Sequence, residues 1–165
     1  MQDLKLIRKQ QPALSMLQRV RAKKYFLVAF LVSLAINPIF TFLYRNSKNF
    51  VLNCNYFGGL ITGNSFLILS LVFLGVVIYF GLISKDSAES IGFGFLVSGG
   101  VWNLIHRVAG NCVYDYFKFG PIYTLFLRFN ISDVLIWAGL LLVLTTFTQV
   151  CIKTLLSKKS IDVKR

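Results

Sequence analysis

The run SFLILSLVFLGVVIYFGLIS, Ser65 to Ser84, holds 20 residues without a formal charge. At ~1.5 Å of helical rise per residue it reaches ~30 Å, the thickness of a bilayer's hydrocarbon core. Tyr25 to Tyr44 and Val134 to Ile152 have the same character over 20 and 19 residues. None of the three alternates with the period of two that marks a membrane strand. Backbone polar groups in lipid must be bonded within a helix or a closed barrel, so these runs are expected to be helices. A fourth run, Ile91 to Ile105, has only 15 residues and includes Gly92, Gly94, Gly99, Gly100 and Asn103. It is short for a span, yet small residues let a helix approach its neighbours closely, and three other spans already commit the chain to a membrane. The expected fold class is an all-α membrane protein with four transmembrane helices, both termini cytoplasmic and two outer loops, with room for a small extracytoplasmic β element.

Composition agrees. The 165 residues are 56% hydrophobic before the 12 glycines are added, against ~45–50% with glycine included for soluble domains. The 18 Lys+Arg against 6 Asp+Glu leave a net charge of +12, which in a soluble chain would suggest a nucleic-acid partner. Here the charges avoid the apolar runs and sit in the ends and loops, so no nucleic acid is expected. Lys5, Arg8, Lys9, Arg19, Arg21, Lys23 and Lys24 precede the first span, and Lys153, Lys158, Lys159, Lys164 and Arg165 follow the last. Excess basic residues place both ends in the cytoplasm and favour anionic membrane lipids. The chain then divides into a basic cytoplasmic segment (1–24), a four-helix membrane domain (25–152) and a basic cytoplasmic tail (153–165). Arg45 to Asn64 and His106 to Ser132 form the outer loops, and Lys85 to Ser90 is an inner link. The basic start followed by a 20-residue apolar core without an A-x-A site reads as a retained anchor rather than a cleaved leader.

Chemistry is sought among the six acidic residues. Asp3 and Asp162 lie at the ends, and Asp86 and Glu89 lie in the inner link. Asp115, in Val-Tyr-Asp-Tyr-Phe, and Asp133, in Phe-Asn-Ile-Ser-Asp, fall near the outer face, where an ionisable group is costly unless paired or functional. Structural roles are open to both. Asn130-x-x-Asp133 has the spacing of a helix N-terminal capping pair, and Asp115 has Arg107 and Lys118 as ion-pair candidates. Brought together, the two carboxylates could not both ionise cheaply, and one would keep a proton. Such a pair hydrolyses amides without metal: the ionised member takes a proton from water, and the protonated one supports the oxyanion or the leaving nitrogen.

Three ordered blocks carry a resemblance. Gly99-Gly100-Val-Trp-Asn103-Leu-Ile-His106-Arg107, Val113-Tyr-Asp115-Tyr-Phe117 and Phe129-Asn130-Ile-Ser-Asp133 resemble the Asn-Leu-Ile-Asp-Arg, Val-Val-Asp-Phe and Phe-Asn-Ile-Ala-Asp blocks of the lipoprotein signal peptidases, also called signal peptidase II. The resemblance runs from the first span onward. It implies a membrane-embedded aspartic endopeptidase that cleaves prolipoproteins before a diacylglyceryl-modified cysteine, in the bacterial inner membrane, with its site at the periplasmic face. Asp115 and Asp133 would be the catalytic pair, and Asn103, Arg107 and Asn130 would line the site and bind substrate. Asn53, in Asn53-Cys54-Asn55, stands near the family's Asn-x-Gly block as either a substrate-contacting residue or an ordinary loop asparagine. Phe57-Gly58-Gly59-Leu60 follows it. Asn37, before Pro38, stands near a family aspartate and could instead bond a neighbouring helix or backbone freed by the proline.

The departures are Asn55 and Asn111 where glycine is usual, Ser132 for alanine, and His106 for the aspartate before Arg107. A histidine cannot give Arg107 the same ion pair. Asn103 and Arg107, four apart with Gly99 four before, share one helical face. Cys54 and Cys112, both in outer loops, could pair in an oxidising periplasm, whereas Cys151 lies at the inner end of the last span. Cys and His lack a metal-ligand spacing, and no cofactor fingerprint is present, so neither metal nor cofactor is expected. Two other classes fit the layout: a catalytically impaired homologue that binds lipidated or signal-helix segments, and a small transport or assembly protein. The latter favours charges at the bilayer midplane, not its boundary.

Overall fold

The computed structural model describes residues 2–48, 50–54, 63–119 and 127–162. Phe57 to Leu60 and residues 120–126 of the second outer loop lie outside them. Four helices, α1 (Gln2–Tyr44), α2 (Gly63–Ile83), α3 (Ser87–Gly110) and α4 (Ile131–Asp162), are joined with four three-residue strands: β1 (Val51–Asn53), β2 (Val113–Asp115), β3 (Phe117–Phe119) and β4 (Leu127–Phe129). The chain is thus an all-α membrane protein with a small β element.

Ser15–Tyr44, Ser65–Ile83 and Ile131–Ser157 are long and apolar enough to cross a membrane. α1 itself continues unbroken through the basic segment that precedes the charge-free run. α3 has 24 residues, ~36 Å at helical rise, but is not among the stretches apolar enough to cross by composition. Its position explains this. Ser90, Gly92, Phe93, Gly94, Leu96, Val97, Ser98 and Gly99 are buried, while exposed large hydrophobics such as Leu31, Val72, Phe73, Trp137 and Leu141 belong to the surrounding helices. A helix faced by other helices can be glycine-rich and polar in places, because packing rather than lipid solvation holds it.

Backbone approach sets that packing. An added Cβ at Gly139 would lie 2.5 Å from the Gly92 carbonyl oxygen, and one at Gly99 would lie 2.5 Å from that of Ser132. The two α3 glycines, seven apart, let α4 lie directly against α3. Below them Phe26, Val77, Phe93, Leu96 and Val97 form the core where α1, α2 and α3 meet.

Both ends of α3 are capped. The Asp86 carboxylate accepts from the N–H groups of Ala88 and Glu89 at 2.8 and 2.9 Å. At the other end Asn111 adopts the left-handed conformation (φ 56°) and its N–H donates to the Arg107 carbonyl. Asparagine tolerates that backbone after glycine best of all residues, which accounts for Asn111 at a usual glycine position.

The strands cluster at the α3 C-terminal end. β1 pairs antiparallel with β2 in the register Val51↔Asp115, Leu52↔Tyr114, Asn53↔Val113, and β3 pairs with β4. Cys54 and Cys112, just beyond β1 and just before β2, form a disulfide.

Candidate active site

Alternation along β2 turns Val113 and Asp115 inward and Tyr114 to the opposite face. Asn53 lies diagonally across from Asp115 on the inward face, within side-chain reach in an antiparallel pair. Its Nδ2 donates to Asp115 Oδ2 at 2.8 Å. Asn53 is therefore a ligand of the buried carboxylate. The disulfide, one residue from Asn53 and three from Asp115, fixes this pairing.

Asp133 arrives on the first turn of α4. Asn130 is the cap: its Oδ1 accepts from the Asp133 N–H at 3.1 Å, and Asp133 Oδ2 accepts from the Asn130 N–H at 3.0 Å. This is the reciprocal bonding of a capping box. The local structural role and the candidate chemical role coexist, because the box occupies only one carboxylate oxygen. Asp133 Oδ1 accepts from Asn103 Nδ2 at 2.9 Å.

Asn130 joins the two acids. Its Nδ2 donates to Asp115 Oδ1 at 3.1 Å and to Asn103 Oδ1 at 3.3 Å. Every oxygen of both carboxylates thus accepts from an asparagine N–H, and the two acids flank one asparagine. Asp115 is only 2% exposed and Asn130 4%.

A cavity of about 520 Å³ opens beside Asp133 between α2, α3 and α4. Asn103, Arg107 and Asp133 sit in its mainly apolar lining, which includes Phe66, Leu74 and Ile136. The guanidinium of Arg107 stacks 4.8 Å from the centre of the Phe66 ring. His106, in place of an acid, packs its ring edge-on against Trp102 and Tyr114, 5.3 Å centre to centre in each case, and Tyr114 stacks on Phe50. His106 therefore ties α3 to β2 through aromatic contacts.

Asn37 bonds both its own helix and a neighbouring one. Its Nδ2 donates to the Ser33 carbonyl at 2.9 Å, and its Oδ1 accepts from Ser132 Oγ on α4. Both residues are fully buried. The serine that departs from the alanine of the resembling block thereby supplies the donor Asn37 needs.

Three participants were not singled out in the sequence: Phe66, Ser132 as a bonding partner, and Tyr116. The last had a signal, a hydroxyl-bearing residue directly after Asp115. Tyr116 is buried and its hydroxyl accepts from the Ile131 N–H at 3.0 Å.

Residues 49–149 match the family described as signal peptidase (SPase) II. Two solved structures, each described as a bacterial membrane enzyme determined by the in meso method, share this fold at 16% identity. One, at 2.3 Å resolution, has a TM-score of 0.65 over 75% of this chain and 87% of its own. The other, at 1.9 Å, has a TM-score of 0.64 over 74% of this chain and 91% of its own. No curated protein matches the chain.

Proposed function

The chain belongs to the signal peptidase II family, and from that premise we propose that it is an aspartic endopeptidase cleaving prolipoproteins on the N-terminal side of a lipid-modified cysteine, with Asp115 and Asp133 as its acid–base pair. The observation that carries the reading is the shared Asn130, which donates to both carboxylates from its side chain and its backbone.

The chemistry follows from that arrangement. Water placed between the carboxylates loses a proton to the ionised one as its oxygen attacks the scissile carbonyl. The protonated acid then hydrogen-bonds the developing oxyanion and passes its proton to the departing amide nitrogen. Asn53 and Asn103 hold the outer oxygens and so fix the rotamers of both acids. Arg107, at the cavity wall, is placed to bind a carbonyl or ester oxygen of the substrate. The apolar cavity suits the hydrocarbon of a signal segment and its lipid. The basic termini argue for a site at the outer face of a bacterial inner membrane.

The test is processing of a lipidated precursor by purified protein in liposomes. Asp115→Asn and Asp133→Asn are each expected to lower cleavage at least about a hundredfold while leaving the melting temperature near that of the unaltered protein. Full processing by either variant would remove the assignment. Binding without cleavage by the unaltered protein would instead favour the catalytically impaired homologue.

A further inference from the structure

We infer that Tyr116 is a positioning residue of the aspartate pair: its hydroxyl, seated on the first turn of α4, fixes the strand carrying Asp115 against the helix carrying Asp133. The inference rests on the reading that these two acids perform the chemistry.

Tyr116 follows Asp115 directly and is 2% exposed. The N–H of Ile131, one residue after Asn130 and two before Asp133, donates to its hydroxyl at 3.0 Å. The first N–H groups of a helix have no partner within it. Asn130 Oδ1 takes the one at Asp133, and Tyr116 takes the one at Ile131. On α1, Thr41 Oγ1 donates to the Asn37 carbonyl at 3.0 Å. Asn37 in turn holds Ser132, the residue before Asp133. The phenol ring stacks on Tyr44 at 5.4 Å, and the Tyr116 N–H reaches the Phe129 carbonyl at 3.3 Å. One side chain therefore joins the Asp115 strand, the start of α4 and the end of α1.

Its role is geometric rather than chemical. Tyr116 is not among the residues lining the cavity, and burial pushes its phenol above the usual value, so it stays protonated across the working pH range. Asn130 ties the acids through a flexible amide. The hydroxyl adds a second tie that does not pass through that amide, and it sets how far the strand stands from the helix.

Tyr116→Phe keeps the ring and removes the tie. With a lipidated precursor peptide and the full-length protein in liposomes, kcat is expected to fall about tenfold, since small misplacements of reacting groups carry large rate costs. KM should stay within about twofold of the unaltered value, because uniform binding is untouched. The acidic limb of the kcat–pH profile should also move, because the spacing of the acids sets how they share a proton. Amide hydrogen exchange without substrate should quicken at 131–133 in Tyr116→Phe and stay unchanged along α2. An unaltered kcat and pH profile overturns the inference, as does unaltered exchange at 131–133. If the unaltered protein cleaves no lipidated precursor, the peptidase reading fails, and the exchange result alone then decides whether the tie exists.

Discussion

The starts of α3 and α4 are assembled from the same parts and end as different things. At α3, one oxygen of Asp86 takes both exposed N–H groups of the first turn. The nearby Glu89 is engaged by Ser84 Oγ, and the turn is finished as a cap. At α4 the acid stands three residues later. The cap is Asn130, and Asp133 gives that cap one oxygen while the other faces Asn103 and the cavity. A second carboxylate then reaches the same asparagine from β2. The surroundings of a capping acid are thus set by what the tertiary structure delivers to its second oxygen, and the local motif alone does not supply them.

Exchanging the two caps for alanine separates these cases most sharply. Asn130→Ala removes the cap and the amide between the acids, and cleavage is expected to fall at least about a hundredfold, with stability lower by about 1 kcal/mol. Asp86→Ala should lose about the same 1 kcal/mol in a thermal melt and keep its cleavage rate. Equal loss of cleavage in both variants would erase the distinction.

A middle-sized effect is expected from the disulfide, which supports only the α4 side of the comparison. Cys54→Ser frees Asn53 from its place beside Asp115, and cleavage should drop about tenfold. The bridge closes a separation of 58 residues, for which chain entropy alone gives ~4 kcal/mol, so the melting temperature should fall as well. Exchange at the first turn of α3 should not change. If it quickens as much as at 131–133, the two ends are not independent.

The smallest contrast comes from two glycines. Gly99→Ala places a methyl carbon 2.5 Å from the Ser132 carbonyl oxygen, forcing α3 and α4 apart beside Asp133. A loss of about 1–3 kcal/mol is expected, with a severalfold fall in rate. Gly75→Ala meets nothing within 4 Å and should leave cleavage unchanged. A rate loss in Gly75→Ala would show that the effect does not depend on the contact between α3 and α4.

Much of this was legible in the chain because its signals are local. Uncharged runs gave three apolar helices, and glycine spacing gave the close-packed fourth. The Asn130-x-x-Asp133 interval gave the capping box. Cys54 and Cys112 were visible as a candidate pair. Less legible were features that depend on partners far away in sequence. Three-residue strands are too short to show a period, so the diagonal placing of Asn53 beside Asp115 had no signature. The Asn37–Ser132 bond spans 95 positions and shows only as a serine where the resembling block has alanine. The extension of α1 back through the basic segment had no apolar signal, because a run of lysines and arginines stops an apolar stretch without stopping a helix. His106 read as the loss of an acid. Its edge-on contacts with Trp102 and Tyr114 depend on β2 lying alongside the end of α3.

The covalent bridge also imposes a sequence on biogenesis. Between its two halves lie all of α2 and all of α3, so the thiols can meet only after that helical hairpin has been delivered into the bilayer and both cysteines have reached the same side. Chains are synthesised N-terminus first, and α4 is then the remaining helix. Asp115 can already be locked in its strand pair when Asp133 arrives.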